Sequence, residues 1–158
     1  LNKGCYFGIE PNTEMLNAGI RVLMEPEEMN LKKPIFNHNM DFDFTIFKEQ
    51  FDFYLARSIW THASKTQIQS MLDNFVSTSN NNSIFLTSYK NSSLFNKDYK
   101  GSEWIGISHE SNLSGIVRHS LGWIQNECAK RKLIATEIKG KRFNFGNQKW
   151  LRIKYDIT

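Results

Sequence analysis

Cysteine is nearly absent from this chain: Cys5 and Cys128 stand far apart and share no spacing pattern, which excludes a disulfide framework and a zinc knuckle. A reducing, cytoplasmic setting follows as the expectation. No apolar run approaches the roughly eighteen residues of a membrane span, and no basic-then-apolar leader opens the chain, so the sequence reads as neither spanning a membrane nor secreted. There is no glycine-rich phosphate loop, no serine or cysteine nucleophile signature and no internal repeat. The four histidines, His38, His62, His109 and His119, lack metal-ligand spacing, and no cofactor is indicated.

What is present is apolar and aromatic. Forty per cent of the 158 residues are hydrophobic and 13% aromatic, enough to bury a core, and the length fits one domain. The formal net charge is +4, concentrated at the C-terminal end: Lys130 to Lys154 holds nine Lys and Arg against one acid, Glu137. Residues between Glu10 and Asp52 are acidic by contrast. The chain begins at Leu1 and not Met, which points to a piece of a larger parent protein.

Residues 1–44 hold all three prolines and little periodicity, so they read as an extended arm or linker, with one short strand at Gly19–Met24 and a short helix opening at Glu25-Pro-Glu-Glu28. Residues 45–158 then form one α+β domain. Apolar residues at Ile46, Phe47, Phe51, Tyr54, Leu55 and Ile59 recur at three- and four-residue steps, predicting a helix over 45–60. Ser64-Lys-Thr-Gln67 matches a capping box and starts a second helix running to Val76, giving a helical hairpin over 45–76. Sheet and helix fill 83–158: strands at Ser83–Tyr89 and Glu103–His109, then 110–132. That stretch reads either as one helix from near Ser114 or as a strand at Gly115–Leu121 followed by a helix at Trp123–Lys132. Three strands close the chain at Leu133–Lys139, Lys141–Phe145 and Trp150–Ile157, broken at Gly140 and at Gly146-Asn147-Gln148. The fold class expected is a small antiparallel or mixed sheet with helices packed on one face.

In the last strand Leu151, Ile153, Tyr155 and Ile157 alternate with Trp150, Arg152, Lys154 and Asp156. One face is greasy; the other carries an indole among cations, joined by Arg142 and Asn144 if the preceding hairpin loop is odd in length, or by Phe143 if it is even. An indole stacks a base, and guanidinium and ammonium groups hold phosphates. Acceptors for a guanine edge are Glu137, or Glu103 and Asp98 flanking Trp104. The layout resembles the cap-binding domain of the polymerases of segmented negative-strand RNA viruses, in which a methylated guanine is sandwiched between aromatic side chains. That resemblance implies a non-catalytic module whose partner is capped RNA or a guanine nucleotide. Trp150 would be the stacking residue, Arg152, Arg142 and Lys154 the phosphate ligands, and Trp104, Tyr99, Phe143 or Arg152 the second stacking partner. Two other classes stay open, a winged-helix-like binder built on the helix ending Lys130-Arg131-Lys132 and a protein-interaction module. A nuclease half-motif, Glu137-Ile138-Lys139, has no evident companion acid.

Overall fold

The computed structural model describes residues 2–107, 113–140 and 147–157, which fall into two compact units, Leu1–Asp43 and Phe44–Thr158. The strand expected at Lys141–Phe145 lies outside the described residues, as do residues 108–112, while the described part of the strand expected at Glu103–His109, residues 103–107, is irregular and forms no strand.

The first unit is a parallel crossover and not an extended arm. Strand β1 (Phe7–Ile9) leads into helix α1 (Thr13–Leu23), then helix α2 (Pro26–Lys32) and strand β2 (Ile35–Asn37), which pairs parallel to β1 with Phe7 opposite Ile35. Asn12 starts α1 by accepting from the Met15 amide at 2.9 Å, with Glu14 in the first turn and Arg21 in the last. The strand expected at Gly19–Met24 is therefore the second half of a helix: Leu16, Ile20 and Leu23 repeat at helical and not alternating steps. The helix expected to open at Pro26 does so, with Glu27 and Glu28 in its first turn.

The second unit carries a four-stranded mixed sheet of order β3-β4-β6-β5, comprising β3 (Phe53–Ala56), β4 (Ile84–Tyr89), β5 (Leu133–Ile138) and β6 (Lys149–Tyr155). β3 and β4 are parallel and are joined by helix α3 (Lys65–Thr78), while β6 runs antiparallel to both β4 and β5. Helix α4 (Leu121–Ala129) precedes β5. The helix expected over 45–60 does not form. A single 3₁₀ turn at Thr45–Phe47 ends at Lys48 with φ +55°, and β3 follows. The aromatic spacing served either period; what decided is that Tyr54 and Ala56 alternate with Phe53 and Leu55, and that β4 offers a parallel partner along the whole strand. No capping residue fixes a helix start there. At Ser64 one does: its hydroxyl accepts from the Gln67 amide while Gln67 Oε1 accepts from the Ser64 amide.

Both helices pack on one face of the sheet. Phe75 of α3 meets Tyr54, Phe85 and Tyr155 at ring separations of 4.8, 5.6 and 6.1 Å, and the buried Trp60 donates to Met71 Sδ at 3.4 Å. Ile124 and Cys128 of α4 are buried, as are Leu133, Ala135, Leu151 and Ile153 on the strands. Burying the leucine and isoleucine side chains among these contributes about 1.5–3 kcal/mol each. The opposite face carries Phe53 and Leu55, which are 71% and 70% exposed.

A charged clamp ties the two helices together. Buried Glu127 of α4 accepts from Gln69 Nε2 at 2.9 Å, Lys130 Nζ at 2.6 Å and Arg131 Nη1 at 3.1 Å, and Arg131 grips Asp73 of α3 through two parallel bonds of 2.6 and 3.0 Å. Burial alone would raise the Glu127 carboxyl, but the bonds from Lys130, Gln69 and Arg131 outweigh it and hold it at about 2. The ionised form is therefore favoured by folding, and its stabilisation is present above the ordinary carboxylate range and lost as pH falls from there towards 2. Glu127→Gln is expected to be less stable than the parent at pH 7 and to show a shallower loss of stability between pH 5 and pH 2, as read from urea midpoints across pH. Ser64→Ala is expected to cost about 1–2 kcal/mol in the same measurement, with the slope unchanged.

Candidate functional site

In open α/β sheets, ligands bind beyond the carboxyl ends of the parallel strands, where loops rather than helices face the sheet edge. Each unit has such an edge.

In the second unit the edge is built on the turn after β3 and the long segment after β4. Ser58 takes a left-handed conformation, φ +61°, immediately beyond β3, and its amide donates to Ser88 Oγ at 2.7 Å. Gln148 closes this cluster, donating from Nε2 to Ser58 Oγ at 2.9 Å and accepting from Ser88 Oγ at 2.7 Å. The segment after β4 is sewn back across the edge: Ile105 N donates to His62 O at 2.9 Å, Val117 N to Thr61 O at 2.7 Å and His119 N to Lys90 O at 2.9 Å. His62 donates from Nδ1 to Ile105 O at 2.5 Å and stacks on Trp104 at 5.6 Å and 26°. Gly106 is required beneath that ring: its φ is +141°, and a Cβ there would lie 2.5 Å from His62 Nδ1.

His119 is the most unusual side chain at this edge. It is fully buried, with Nε2 donating to Ala63 O at 2.9 Å, so Nδ1 is left as a lone pair with no hydrogen-bond partner. Tyr99 and Trp123 enclose the ring at 6.5 and 5.6 Å. Burial pushes its pKa below the ordinary imidazole value, more than the Ala63 bond and the nearby Asp98 charge raise it. Asp98 itself is paired with Lys65 and accepts from the Ser120 amide at 2.8 Å; these bonds outweigh its burial and hold its carboxyl below the usual range. The arrangement holds a neutral imidazole shielded from water, with one ring nitrogen left without a partner.

In the first unit the edge is the turn Glu10-Pro11-Asn12 after β1 and the segment after β2. The Glu10 carboxylate accepts from the Asn12 amide at 2.9 Å through Oε1, and His38 Nδ1 donates to Glu10 O at 2.7 Å. Asn39 is fixed by Asn37 Oδ1, which accepts from its amide at 2.8 Å.

The residues singled out in the sequence are placed as follows. Trp150, Arg152 and Lys154 do share one face of β6, opposite Ser88, Leu86 and Ile134 respectively, but Trp150 is half-buried. Glu137 is not with them: it pairs in register with Leu151 and so faces the helices, where it accepts from Tyr89 OH at 3.2 Å and from Lys149 Nζ at 2.8 Å. Trp104 stands at the strand edge against His62, and exposed Glu103 accepts from Tyr99 OH through its backbone carbonyl at 3.0 Å. Arg142 lies outside the described residues. Among the described residues no group of three or more His, Cys, Asp or Glu is placed to hold a metal, and no helix is long and apolar enough to cross a membrane. Two residues of these edges carry no role in the sequence expectations. Glu10 is signalled by Phe7-Gly-Ile9 ending in an acid just before a capped helix, whereas His119 has no local signal, since its burial is made by residues far away in the chain.

No protein-family model matches the sequence, and no curated protein matches it. Solved structures do match in fold. A S-adenosylmethionine-dependent methyltransferase from Clostridium acetobutylicum ATCC 824 superposes with a TM-score of 0.63 at 10% identity, covering 94% of this chain and 74% of that one. The glycopeptide N-methyltransferase MtfA, complexed with S-adenosylmethionine, gives 0.65 at 10% identity, covering 94% and 76%. Magnesium protoporphyrin IX methyltransferase from Synechocystis PCC 6803, with bound S-adenosylhomocysteine, gives 0.58 at 10% identity, covering 94% and 63%. The chain thus spans about three quarters of the first two and under two thirds of the third.

The fold is therefore methyltransferase-like, and the resemblance to a viral cap-binding domain is overturned. With it go the non-catalytic reading, the viral polymerase setting, and capped RNA or a guanine nucleotide as partner. The physical reason is connectivity: the cap-binding layout relied on strands joined by hairpins, whereas β1 to β2 and β3 to β4 are parallel pairs joined through helices. The winged-helix alternative falls on the same ground, since α4 buries Ile124 and Cys128 against the sheet.

Because His119 is neutral when buried and protonated more readily in the unfolded chain, its contribution to stability is present above pH 6.5 and lost as pH falls below that. Stability measured by denaturant between pH 7.5 and pH 5 is expected to fall in the parent and to fall less in His119→Gln.

Proposed function

We propose that this chain is part of a methyltransferase that uses S-adenosylmethionine, and that Glu10 holds the ribose of that cofactor. The observation that carries the reading is the placement of a carboxylate directly beyond the carboxyl end of a parallel strand in a crossover unit. An acid in that position accepts from vicinal ribose hydroxyls in nucleotide-binding α/β folds.

The residues fit the group. Glu10 is half-buried, and its Oε1 is aimed by the Asn12 amide, which leaves Oε2 as the acceptor for a diol. The backbone beneath it is held by Glu10 N donating to Asn37 O at 3.0 Å and by His38 on Glu10 O. S-adenosylmethionine is a nucleoside without phosphate, so the absence of a glycine-rich phosphate turn from the sequence is no obstacle. When bound, the cofactor supplies an electrophilic methyl group on a sulfonium. The part played by Glu10 is orientation: its carboxylate would accept from the ribose diol and so fix the sugar and the direction in which the nucleoside extends.

Charged hydrogen bonds of this kind contribute about 1.5–3 kcal/mol. Glu10→Ala is expected to weaken S-adenosylhomocysteine binding by about tenfold to a hundredfold in isothermal titration, while the melting temperature without ligand stays within a degree or two of the parent. Absence of binding in the parent, or equal binding in the variant, overturns the assignment.

A further inference from the structure

We propose that the loop tip Leu94-Phe95 is a membrane-insertion finger that docks the protein on an anionic lipid surface. The proposal is independent of the methyltransferase reading and rests on three observations from the segment after β4.

The first is exposure. Leu94 and Phe95 are 94% and 95% exposed, more than any other large apolar side chain among the described residues. At such values neither ring nor isobutyl group touches a wall of the protein, so they are not lining a cleft for a small substrate.

The second is that the tip is held out by a built stem. Ser93 N donates to Asn96 O at 2.8 Å and Asn96 N to Ser93 Oγ at 3.1 Å, closing the turn on which the two residues sit. On one side Ser92 N donates to His119 O at 3.2 Å and Arg118 Nη1 to Asn91 O at 3.3 Å. On the other, Tyr99 N donates to Arg118 O at 2.9 Å, Ser120 N donates to Asp98 Oδ1 at 2.8 Å, and Lys65 pairs with Asp98. A loop anchored at both feet keeps its apolar crown in water instead of folding it down.

The third is charge. Between Lys90 and Lys100 the lysines are Lys90, Lys97 and Lys100, and the single acid, Asp98, is neutralised by Lys65. Lys97 and Lys100 are exposed. A Leu-Phe crown with a cationic collar is the pairing that interfacial binding requires, because apolar insertion alone or basic attraction alone gives only marginal attachment. A protein partner fits less well, since two side chains without a surrounding patch fall far short of the roughly 800 Å² each partner buries in a stable interface. Docking of this kind is peripheral and needs no spanning helix.

Co-sedimentation with vesicles of phosphatidylcholine, with and without phosphatidylserine, tests the proposal. The parent is expected to bind only the phosphatidylserine vesicles and to be released by high salt. Leu94→Ser with Phe95→Ser is expected to reduce partitioning by about tenfold or more with an unchanged melting temperature. Lys97→Glu with Lys100→Glu should abolish the preference for phosphatidylserine. Phe53→Ser, which removes an exposed ring from the sheet, should leave binding intact. As a direct readout, Phe95→Trp should gain a blue-shifted emission component on adding vesicles, relative to the parent's spectrum. No binding by the parent, equal binding by the serine double variant, an equal loss in Phe53→Ser, or unshifted Phe95→Trp emission overturns the proposal; the last leaves the tip to a protein partner.

Discussion

Parallel pairing of β3 with β4 is the constraint from which the second unit follows. Two parallel neighbours cannot be joined by a tight turn; the chain must cross over, and the crossover is α3, laid on one face by Phe75 against Tyr54 and Phe85. Once α3 is fixed, Ser64 and the turn after β3 are brought to the carboxyl edge of the sheet, and the segment after β4 has backbone partners waiting there in Thr61, His62 and Ala63. The same logic runs in miniature through β1, α1, α2 and β2, where it sets Glu10 and Asn37 at the ends of adjacent parallel strands.

The edge is also where this protein tolerates what its interior does not. Ser58 and Gly106 sit at positive φ, His119 keeps an unsatisfied nitrogen, and Tyr89 OH is spent on Glu137 so that burial and the neighbouring carboxylate raise its pKa far above the ordinary phenol value. Irregularities of this sort concentrate where a fold has work to do, because packing elsewhere is strong enough to hold them. The Glu127–Arg131–Asp73 clamp lies among the helices, away from that edge, and ties α3 to the C-terminal end of α4.

Elements with a local chemical signal were legible. The capping box at Ser64, the proline-started helix at Pro26, the alternation along β6 and the apolar run of β4 all formed where the residues dictated. Elements decided by a distant partner were not. The aromatic run after Thr45 carried spacing suited to a helix and was drawn into a strand by β4, thirty residues on; the one-residue register of β5 turned Glu137 towards the helices and away from Trp150. Helix α4 begins at Leu121, after Ser120, and not near Ser114, because Ser120 Oγ accepts from the Trp123 amide and the residues before it are engaged with Thr61 and Lys90. Glu10 was overlooked because β1 is only three residues long, too short for periodicity to declare it.

One face of the sheet governs how the molecule behaves in concentrated solution. Phe53 and Leu55 lie on the strand that ends the described sheet, beside Leu86 of the neighbouring strand, and together they give that border a skin of oil. Structure-making salts are excluded from such skin and drive it out of contact with water, so ammonium sulfate should bring this chain down early and reversibly, and mild arginine or glycerol should keep it dispersed.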